Sequence, residues 1–356
     1  MAKDLHATWG DGRGIMDGGF IGRERPMDRK KWLEEVFPEW GDYLNKEIQN
    51  TKVAPKTAVL WYFGGPSWAL KSRQGIFLID NYSGPSLYTT YDYCGVCRTG
   101  GAPTINWLRL NPHVIDPWAF KSLDGVFITH HHQDHCDFYT VKAALQTTKA
   151  KFIGPAVTCE RLRGIGVPAS RIIEVKPGDV IKIKDIKVQI AENFDTIATK
   201  TGFVTPKPFA EVAVSFNFNT EGGNVIFLGD TLYHNGYAMV GKKYKIDVAI
   251  MDMGHNAPGA TDKMSPWDVY RVTEALRAKT VIPDHHDNWG NCQEDPALLE
   301  YILSKKAPQI KTVVLQAGAK FVLPKDLNIG RYHYPDYREL YRPQYSWEYG
   351  NPPQEE

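Results

Sequence analysis

A cluster of histidines follows an apolar stretch near the middle of the chain. Residues 129–135 read THHHQDH and come directly after residues 125–128, GVFI, which have the composition of a buried strand. His130, His132, Asp134 and His135 form the pattern H-x-H-x-D-H. Alternate residues of an extended chain share one side, and the turn that follows brings Asp134 and His135 to a second position nearby. Mixed imidazole and carboxylate ligands suit Zn²⁺, Mn²⁺ or Fe²⁺, so this loop predicts a metal site.

The alternative is a histidine-rich surface turn that binds nothing, and later segments favour the metal site. One loop cannot enclose two ions, so a dinuclear site needs a bridging carboxylate and ligands from other strands. Residues 224–228 read as a buried strand followed by Gly229 and Asp230, and Asp230 is the natural bridging ligand. By itself, Asp230 would be read as a cap of a turn or helix.

Two further strand ends carry metal-capable residues. Residues 280–283 form an apolar run that leads into His285 and His286. We favour His285 as a ligand, and His286 is then expected to point elsewhere, toward substrate or behind the ligands. Residues 188–191 form another predicted strand, which ends in Glu192 and, three residues later, Asp195. This third segment gives the weakest signal of the three.

Six short stretches outside the metal loop match a known family in order. They are FPEWG at 37–41, DPWAF at 116–120, GVP at 166–168, VKPGDV at 175–180, TDKM at 261–264 and YHYP at 332–335. Together with the H-x-H-x-D-H loop, the strand-terminal aspartate and the strand-terminal histidine, they resemble the L-ascorbate-6-phosphate lactonase family of the metallo-β-lactamase superfamily. The similarity runs from about residue 31 to about residue 341.

The resemblance implies an α/β protein with the αββα metallo-β-lactamase sandwich, a cytoplasmic location and a homo-oligomer. It also implies hydrolysis of a sugar-acid lactone with one or two divalent ions, Mn²⁺ by the usual assignment and Zn²⁺ as the alternative. The residues that fall on the family's metal pattern are His130, His132, Asp134, His135, Asp230 and His285. The superfamily's usual third histidine for the first metal, expected near residue 193, is not found, and Asp195 or Glu192 could replace it.

Three residues are predicted to contact substrate. Lys263 and His333 lie in stretches that match the lactonase family, and Tyr93 lies in segment 82–110, which is richer in tyrosine and cysteine than the family's loop. The family motif has an arginine before the glycine that precedes TDKM, a candidate phosphate contact, whereas Pro258 stands there in this chain. The predicted substrate is therefore L-ascorbate 6-phosphate or a close relative, and another cyclic ester or amide is the alternative.

The predicted reaction is attack of a metal-bound hydroxide on the ester carbonyl, because coordination lowers the pKa of water from about 16 to about 7. The ring alkoxide needs a proton as it leaves, and Asp134, His286 and His255 are the candidates to deliver it. His255 follows the strand-like residues 248–251 and should lie at the same rim as the other strand ends. An ordinary loop histidine is an equally good interpretation of His255.

Composition limits the other functional classes. The chain of 356 residues carries 42 basic and 41 acidic side chains, for a formal net charge of +1. A metal-dependent phosphodiesterase or nuclease, the other enzyme considered, should show a basic groove or an added substrate-gripping domain, and neither is visible. No apolar segment reaches membrane-spanning length and no signal pattern begins the chain, so we expect neither a nucleic-acid nor a membrane partner.

The predicted organisation is an arm, one domain and a tail. Residues 1–30 are rich in glycine and charge and are read as a flexible or oligomer-contacting arm, residues 31–341 as the hydrolase domain, and residues 342–356 as a tail that packs on the body or on a neighbouring subunit. Five cysteines do not form a disulfide framework, and Cys94 and Cys97 are interpreted as loop thiols that line a pocket. Helices are predicted at 29–36, 139–146, 157–163, 266–277 and 296–303, and strand-rich stretches at 58–63, 76–80, 151–153, 179–190, 211–218 and 224–228.

Overall fold

The computed structural model describes residues 27–34, 36–84, 109–201, 203–256, 263–290 and 292–332. Its strands are β1 (Ala58–Gly64), β2 (Ser67–Lys71), β3 (Ile76–Ile79), β4 (Gly125–Phe127), β5 (Lys151–Gly154), β6 (Ile172–Glu174), β7 (Val180–Ile183), β8 (Ile186–Glu192), β9 (Val214–Thr220), β10 (Gly223–Phe227), β11 (Val248–Asp252), β12 (Thr280–Asp284), β13 (Lys311–Thr312) and β14 (Lys320–Leu323). Its α-helices are α1 (Arg29–Trp32), α2 (Tyr43–Asn50), α3 (Phe138–Thr147), α4 (Ala156–Ile165), α5 (Phe209–Val212), α6 (Tyr237–Lys243), α7 (Pro266–Leu276) and α8 (Pro296–Lys306), and short 3-10 helices lie at Pro117–Ala119 and Ala169–Arg171.

The strands form two seven-stranded mixed sheets. The first sheet has the order β14-β1-β2-β3-β4-β5-β6, in which β3 to β6 are parallel. The second has the order β13-β12-β11-β10-β9-β8-β7, in which β10 to β13 are parallel. Parallel strands end at the same edge of a sheet, so the residues that follow β3 and β4 lie together, as do those that follow β10, β11 and β12.

Three buried layers hold the sheets and helices together. Between the sheets, Trp68, Phe127 and Phe216 belong to one apolar cluster to which both sheets contribute. A second cluster joins the outer face of the first sheet to α2, α3 and α4, and a third joins the outer face of the second sheet to α6, α7 and α8. Each fully buried large side chain contributes about 1.5–3 kcal/mol to this packing. The architecture is the αββα sandwich, as predicted.

Most predicted elements are confirmed, with corrections at their ends. The helix predicted over residues 29–36 is shorter and ends at Trp32. The strand-rich stretch 179–190 is a hairpin of β7 and β8, because the chain reverses at Lys184, whose φ is +55°. The stretch 211–218 begins with the end of helix α5 and becomes a strand at Val214.

The domain boundaries stay predictions. Of the predicted arm, residues 27–30 are described, and Met27 packs in an apolar cluster with Trp32, Trp118 and Tyr139. The predicted tail, residues 342–356, lies outside the described residues. None of the helices in the part of the chain that the structure describes has both the length and the apolar character needed to cross a membrane.

Candidate metal centre

The predicted metal loop leaves β4 and turns tightly into α3. His130 forms an isolated β-bridge with Ala213, and the backbone N–H groups of His135 and Cys136 donate to the carbonyl of His132 at 3.2 and 2.7 Å. Asp137 then caps α3 by accepting from Thr140 N. His130, His132, Asp134 and His135 are all buried. The loop therefore holds its metal-capable side chains at the joint edge of the two sheets, where solvent hardly reaches them.

One group of possible ligands consists of His130, His132 and Asp195, with ligand atoms all within 4.8 Å of one another. His130 Nε2 lies 3.9 Å from Asp195 Oδ2. The other Asp195 oxygen, Oδ1, accepts from the backbone N–H groups of Ile197 and Ala198, both at 2.8 Å, which fixes the carboxylate. Asp195 thus lies with these two histidines, where a third metal-binding histidine was expected.

The alternative replacement, Glu192, belongs to none of the three ligand groups found among the described residues. Its Oε1 lies 3.5 Å from Lys243 Nζ, and its side chain is 40% exposed. Glu192 is the last residue of β8, and the chain then turns at Asn193 and carries Asp195 inward.

A second group consists of Asp134, His135 and His285, again within 4.8 Å. His285 Nε2 is 3.1 Å from Asp134 Oδ2, and His135 Nε2 is 3.8 Å from the same oxygen. His285 adopts a φ of +63°, and its backbone N–H donates to the carbonyl of Gly65 at 2.9 Å. This left-handed backbone aims the first residue after β12 at the metal loop.

Asp230 lies between the two groups. Its Oδ1 is 3.2 Å from His135 Nε2 and 3.4 Å from His285 Nε2. A third group, made of His130, His135 and Asp230, overlaps with both of the others. The position agrees with the bridging role predicted for this carboxylate.

The chemistry of these side chains fits divalent metal ions. Within the described residues, His130 Nε2 and Asp230 Oδ1 are buried and have no hydrogen-bond partner. Buried polar atoms of native proteins are nearly always partnered, so such atoms call for a ligand that the protein itself does not supply. Imidazole nitrogens together with carboxylate oxygens suit Mn²⁺, Fe²⁺ and Zn²⁺.

Burial and nearby charges favour the metal-binding forms of His130, Asp230 and Asp134. Burial lowers the pKa of His130 well below its usual value, and His135 and His132 lower it further, so the imidazole is neutral. Burial would raise the pKa of Asp230, but Lys263, His285 and His135 outweigh it and hold that pKa well below its usual range. Burial likewise opposes ionisation of Asp134, yet His135 and His285 lower its pKa. Both carboxylates are therefore ionised at neutral pH. For His135, burial would lower the pKa, but Asp230, Asp134 and Asp80 outweigh it, raise that pKa and favour the protonated ring.

Comparison with known proteins assigns the family. The Beta-lactamase superfamily domain profile matches residues 102–286. The chain is 36% identical over 338 residues to a probable L-ascorbate-6-phosphate lactonase, UlaG, of Salmonella choleraesuis, a match that covers 88% of this chain and 95% of the relative. The chain belongs to the L-ascorbate-6-phosphate lactonase family of the metallo-β-lactamase superfamily. It is a metal-dependent hydrolase.

Solved structures of this superfamily share the fold. Igni18, a metallo hydrolase of Ignicoccus hospitalis, superposes with a TM-score of 0.54 at 19% identity, covering 75% of this chain and 98% of its own. An isothiocyanate hydrolase from Delia radicum gut bacteria superposes with a TM-score of 0.55 at 17% identity, covering 74% of this chain and 98% of its own. At such low identity these neighbours establish the fold alone.

Asp80 supports the metal centre of this lactonase-family chain and was missed by sequence reasoning. It follows β3 with a φ of +44°, and its carboxylate accepts from the backbone N–H and the hydroxyl of Thr129. Its Oδ2 lies 3.0 Å from Nδ1 of His135. A carboxylate at the far nitrogen of a metal-binding histidine fixes the ring and leaves Nε2 for the metal. The signal was available, because Asp80 ends an apolar strand just as Asp230 does.

Asn193 joins the strand ends that carry Asp195 and Asp230. Its amide nitrogen donates to the carbonyls of Leu228 and Asp230 at 2.6 and 3.2 Å, and its amide oxygen accepts from the backbone N–H of Asp195 at 2.8 Å. Asn193 is buried, so these bonds are shielded from water. The amide therefore sets the spacing of two carboxylates that belong to different ligand groups.

Asn288 performs a similar task for Asp134. Its Nδ2 donates to Asp134 Oδ2 at 3.2 Å, and Asn111 Nδ2 donates to Asn288 Oδ1 at 3.3 Å. This arrangement fixes which way the Asn288 amide points, because its oxygen is already engaged with Asn111.

We expect Asn288→Ala to weaken metal binding. Partners of metal ligands typically contribute about 10–100-fold in metal affinity, and Asp134 loses such a partner here. Titration of metal-stripped protein with Mn²⁺ in a calorimeter measures the effect. Asn328→Ala is the control, since Asn328 is exposed and its amide oxygen accepts from Lys311 at the surface. Equal Mn²⁺ affinity in both variants would argue against the role of Asn288.

The residues predicted to transfer a proton or to contact substrate differ in their burial and their contacts. His286 is buried, and burial lowers its pKa, so its imidazole is neutral at pH 7. His255 is exposed beyond the end of β11, and its backbone N–H donates to the carbonyl of Cys292. Lys263 is buried with its ammonium against Asp230 Oδ2. Tyr93 and His333 lie outside the described residues, as do Cys94 and Cys97, whereas Cys136, Cys159 and Cys292 are buried.

Proposed function

We propose that this chain opens the lactone ring of a sugar acid, with L-ascorbate 6-phosphate or a close relative as the substrate. The supporting observation is the set of three overlapping ligand groups, each within 4.8 Å, at one edge of the sandwich. Their overlap through His130 and His135 suits two ions side by side, with Asp230 between them. Mn²⁺, the assignment usual in the lactonase family, is the proposed metal, and Zn²⁺ is the alternative. The homo-oligomer that the family suggests stays a prediction.

The residues divide the work of hydrolysis. Bound divalent ions supply a water of lowered pKa as nucleophile and positive charge for the carbonyl oxygen. His130, His132 and Asp195 would hold one ion and Asp134, His135 and His285 the other, while Asp80, Asn193 and Asn288 keep these side chains in place. The buried position of the centre strengthens every charge interaction within it.

The residue that transfers the proton during hydrolysis remains to be assigned. The water oxygen bonds to the carbonyl carbon, the bond from that carbon to the ring oxygen breaks, and one proton must pass from water to the ring oxygen. Asp134 is ionised because His135 and His285 lower its pKa, so it serves as a ligand better than as the acid. His286, as a neutral imidazole, suits accepting the proton from water, and His255 at the exposed rim is the other candidate.

Recognition of a phosphate group needs a cation that faces the substrate. The guanidinium of Arg109 donates to the carbonyls of Tyr82, Gly84 and Asn111, and the ammonium of Lys263 contacts Asp230. Both charges are thus directed at protein acceptors. The test of the function therefore compares phosphorylated with unphosphorylated lactones.

We expect metal-stripped protein to be inactive and to regain lactone hydrolysis when loaded with Mn²⁺. The assay measures ring opening of L-ascorbate 6-phosphate, L-ascorbate and simple γ-lactones, each with Mn²⁺ and with Zn²⁺. Preference for the phosphorylated lactone supports the proposed substrate. Turnover only of other lactones would move the assignment to another cyclic ester, and absence of metal-dependent turnover on all of them would refute the lactonase proposal.

A further inference from the structure

Lys263 is a buried lysine whose charge is directed at the metal centre. Its side chain is 2% exposed, and its Nζ contacts Asp230 Oδ2, whose own side chain is also 2% exposed. A buried ammonium is unfavourable unless it is paired and hydrogen-bonded. An ammonium in this position touches a carboxylate of the centre.

The chain around Lys263 is built to hold it there. The side-chain amide of Asn256 forms two hydrogen bonds with the backbone of Lys263. Its Oδ1 accepts from Lys263 N at 3.1 Å, and its Nδ2 donates to Lys263 O at 3.0 Å. The next residue, Met264, donates its N–H to Asp252 Oδ2 at 3.2 Å. A Cβ at Gly254 would lie 3.2 Å from Lys263 Cγ, so the absence of a side chain there leaves room for the lysine stem.

The two oxygens of Asp230 therefore face different partners. Oδ2 meets the ammonium of Lys263, while Oδ1 lies 3.2 Å from His135 Nε2 and 3.4 Å from His285 Nε2. Within the described part of the chain, Oδ1 is buried and has no hydrogen-bond partner. Only this oxygen is left for metal ions.

We propose that Lys263 is a positioning residue that reserves Asp230 Oδ2 for itself, so that Asp230 binds both metal ions through Oδ1 alone. This inference rests on the two-ion site proposed above and does not depend on the lactone substrate. A carboxylate that shares its charge with an ammonium donates less electron density to the ions. The ions consequently remain stronger Lewis acids toward the carbonyl oxygen than they would beside an unpaired aspartate.

The test is Lys263→Met, which keeps the length of the side chain and removes its charge. We expect the variant still to bind two Mn²⁺ per chain, with a changed electron paramagnetic resonance spectrum, because the freed Oδ2 can reach a metal and alter the coupling between the two ions. We expect kcat to fall by about 10–100-fold, the usual effect of losing a partner of a metal ligand, with KM unchanged. Lys279→Met is the matched control, since Lys279 is exposed and pairs with Asp247 at the other end of β11.

Two further measurements guard the conclusion. The first uses a second variant, Lys263→Ala, to which methylammonium is added as a replacement for the missing ammonium. We expect methylammonium partly to restore the spectrum and kcat, a result that a merely structural role of Lys263 does not predict. The second is a crystal structure of the unaltered protein with Mn²⁺, which tests the proposal even if Lys263→Met does not fold. A structure in which both Asp230 oxygens bind manganese would overturn the proposal.

A spectrum like that of the unaltered protein together with a raised KM in Lys263→Met would also overturn it and would make Lys263 a substrate contact. The spectrum and the metal count require no substrate. Failure of every lactone in the hydrolysis assay would therefore refute the proposed function without touching this inference.

Discussion

Replacing Asp230 with asparagine should lower kcat by about 10³-fold in the Mn²⁺-loaded protein, which corresponds to a loss of about 4 kcal/mol of transition-state stabilisation. Asparagine has nearly the same shape, and its amide oxygen can still accept from Lys263. That orientation turns the NH₂ group toward His135 and His285, where Asp230 Oδ1 now lies. An amide NH₂ cannot bind a cation, so the ions lose their shared ligand.

The measurement combines kcat, metal content per chain and circular dichroism, so that lost chemistry is separated from lost folding. Asp42→Asn is the control, because Asp42 is an exposed carboxylate that forms a surface ion pair with Lys46. Full activity of the Asp230 variant with two ions bound would show that this carboxylate does not bridge the metals.

Replacing Gly229 with alanine should destabilise the protein by about 2–5 kcal/mol and abolish activity. Gly229 has a φ of +70°, in the left-handed region that side chains disfavour, and a Cβ there would lie 2.6 Å from Thr129 Cβ. The contact joins the end of β10 to the metal loop. An alanine must push these two segments apart, and Asp230, the next residue, moves with them.

Gly41→Ala is the control that separates the effect of backbone strain from the effect of steric overlap with a neighbouring side chain. Gly41 has a φ of +55°, and no described atom lies within 4 Å of the position a Cβ would take. It should lose only about 1–2 kcal/mol, the effect of backbone strain, and keep full activity. Urea unfolding measures both variants. Equal losses in the two variants would mean that the approach of Gly229 to Thr129 contributes nothing to stability.

The metal residues that could be predicted from the sequence are those that directly end an apolar strand or fill the H-x-H-x-D-H loop. Asp230 and His285 were predicted in this way, because the position of each depends on a strand that its own neighbours specify, and the structure brings both into the possible ligand groups. Asp195 was harder to predict. The chain leaves β8 before reaching it, and only the turn at Asn193 distinguishes Asp195 from Glu192.

The supporting contacts of Asn288 and Lys263 could not be predicted, for a different reason. Asn288 meets Asp134 across 154 residues of chain, and Lys263 meets Asp230 across 33. A hydrogen bond of this kind depends on which strand ends are adjacent in space, and no local pattern contains that information. The αββα sandwich itself was expected from resemblance to a family, since strand periodicity alone does not determine how two sheets are ordered.

The proposed metal ligands come from both sheets, with the H-x-H-x-D-H loop following β4 and Asp195, Asp230 and His285 following β8, β10 and β12. An ion bound among them would act as a removable crosslink between two halves of the chain, which also meet through apolar packing and through hydrogen bonds such as that from Trp68 Nε1 to Asp284 Oδ2. At a free ion concentration of 100 times its dissociation constant, each such ion adds about 2.7 kcal/mol to the free energy of unfolding. Metal supply would then set the lifetime of this protein against proteolysis, and a cell short of the ion would lose the molecule as well as its activity.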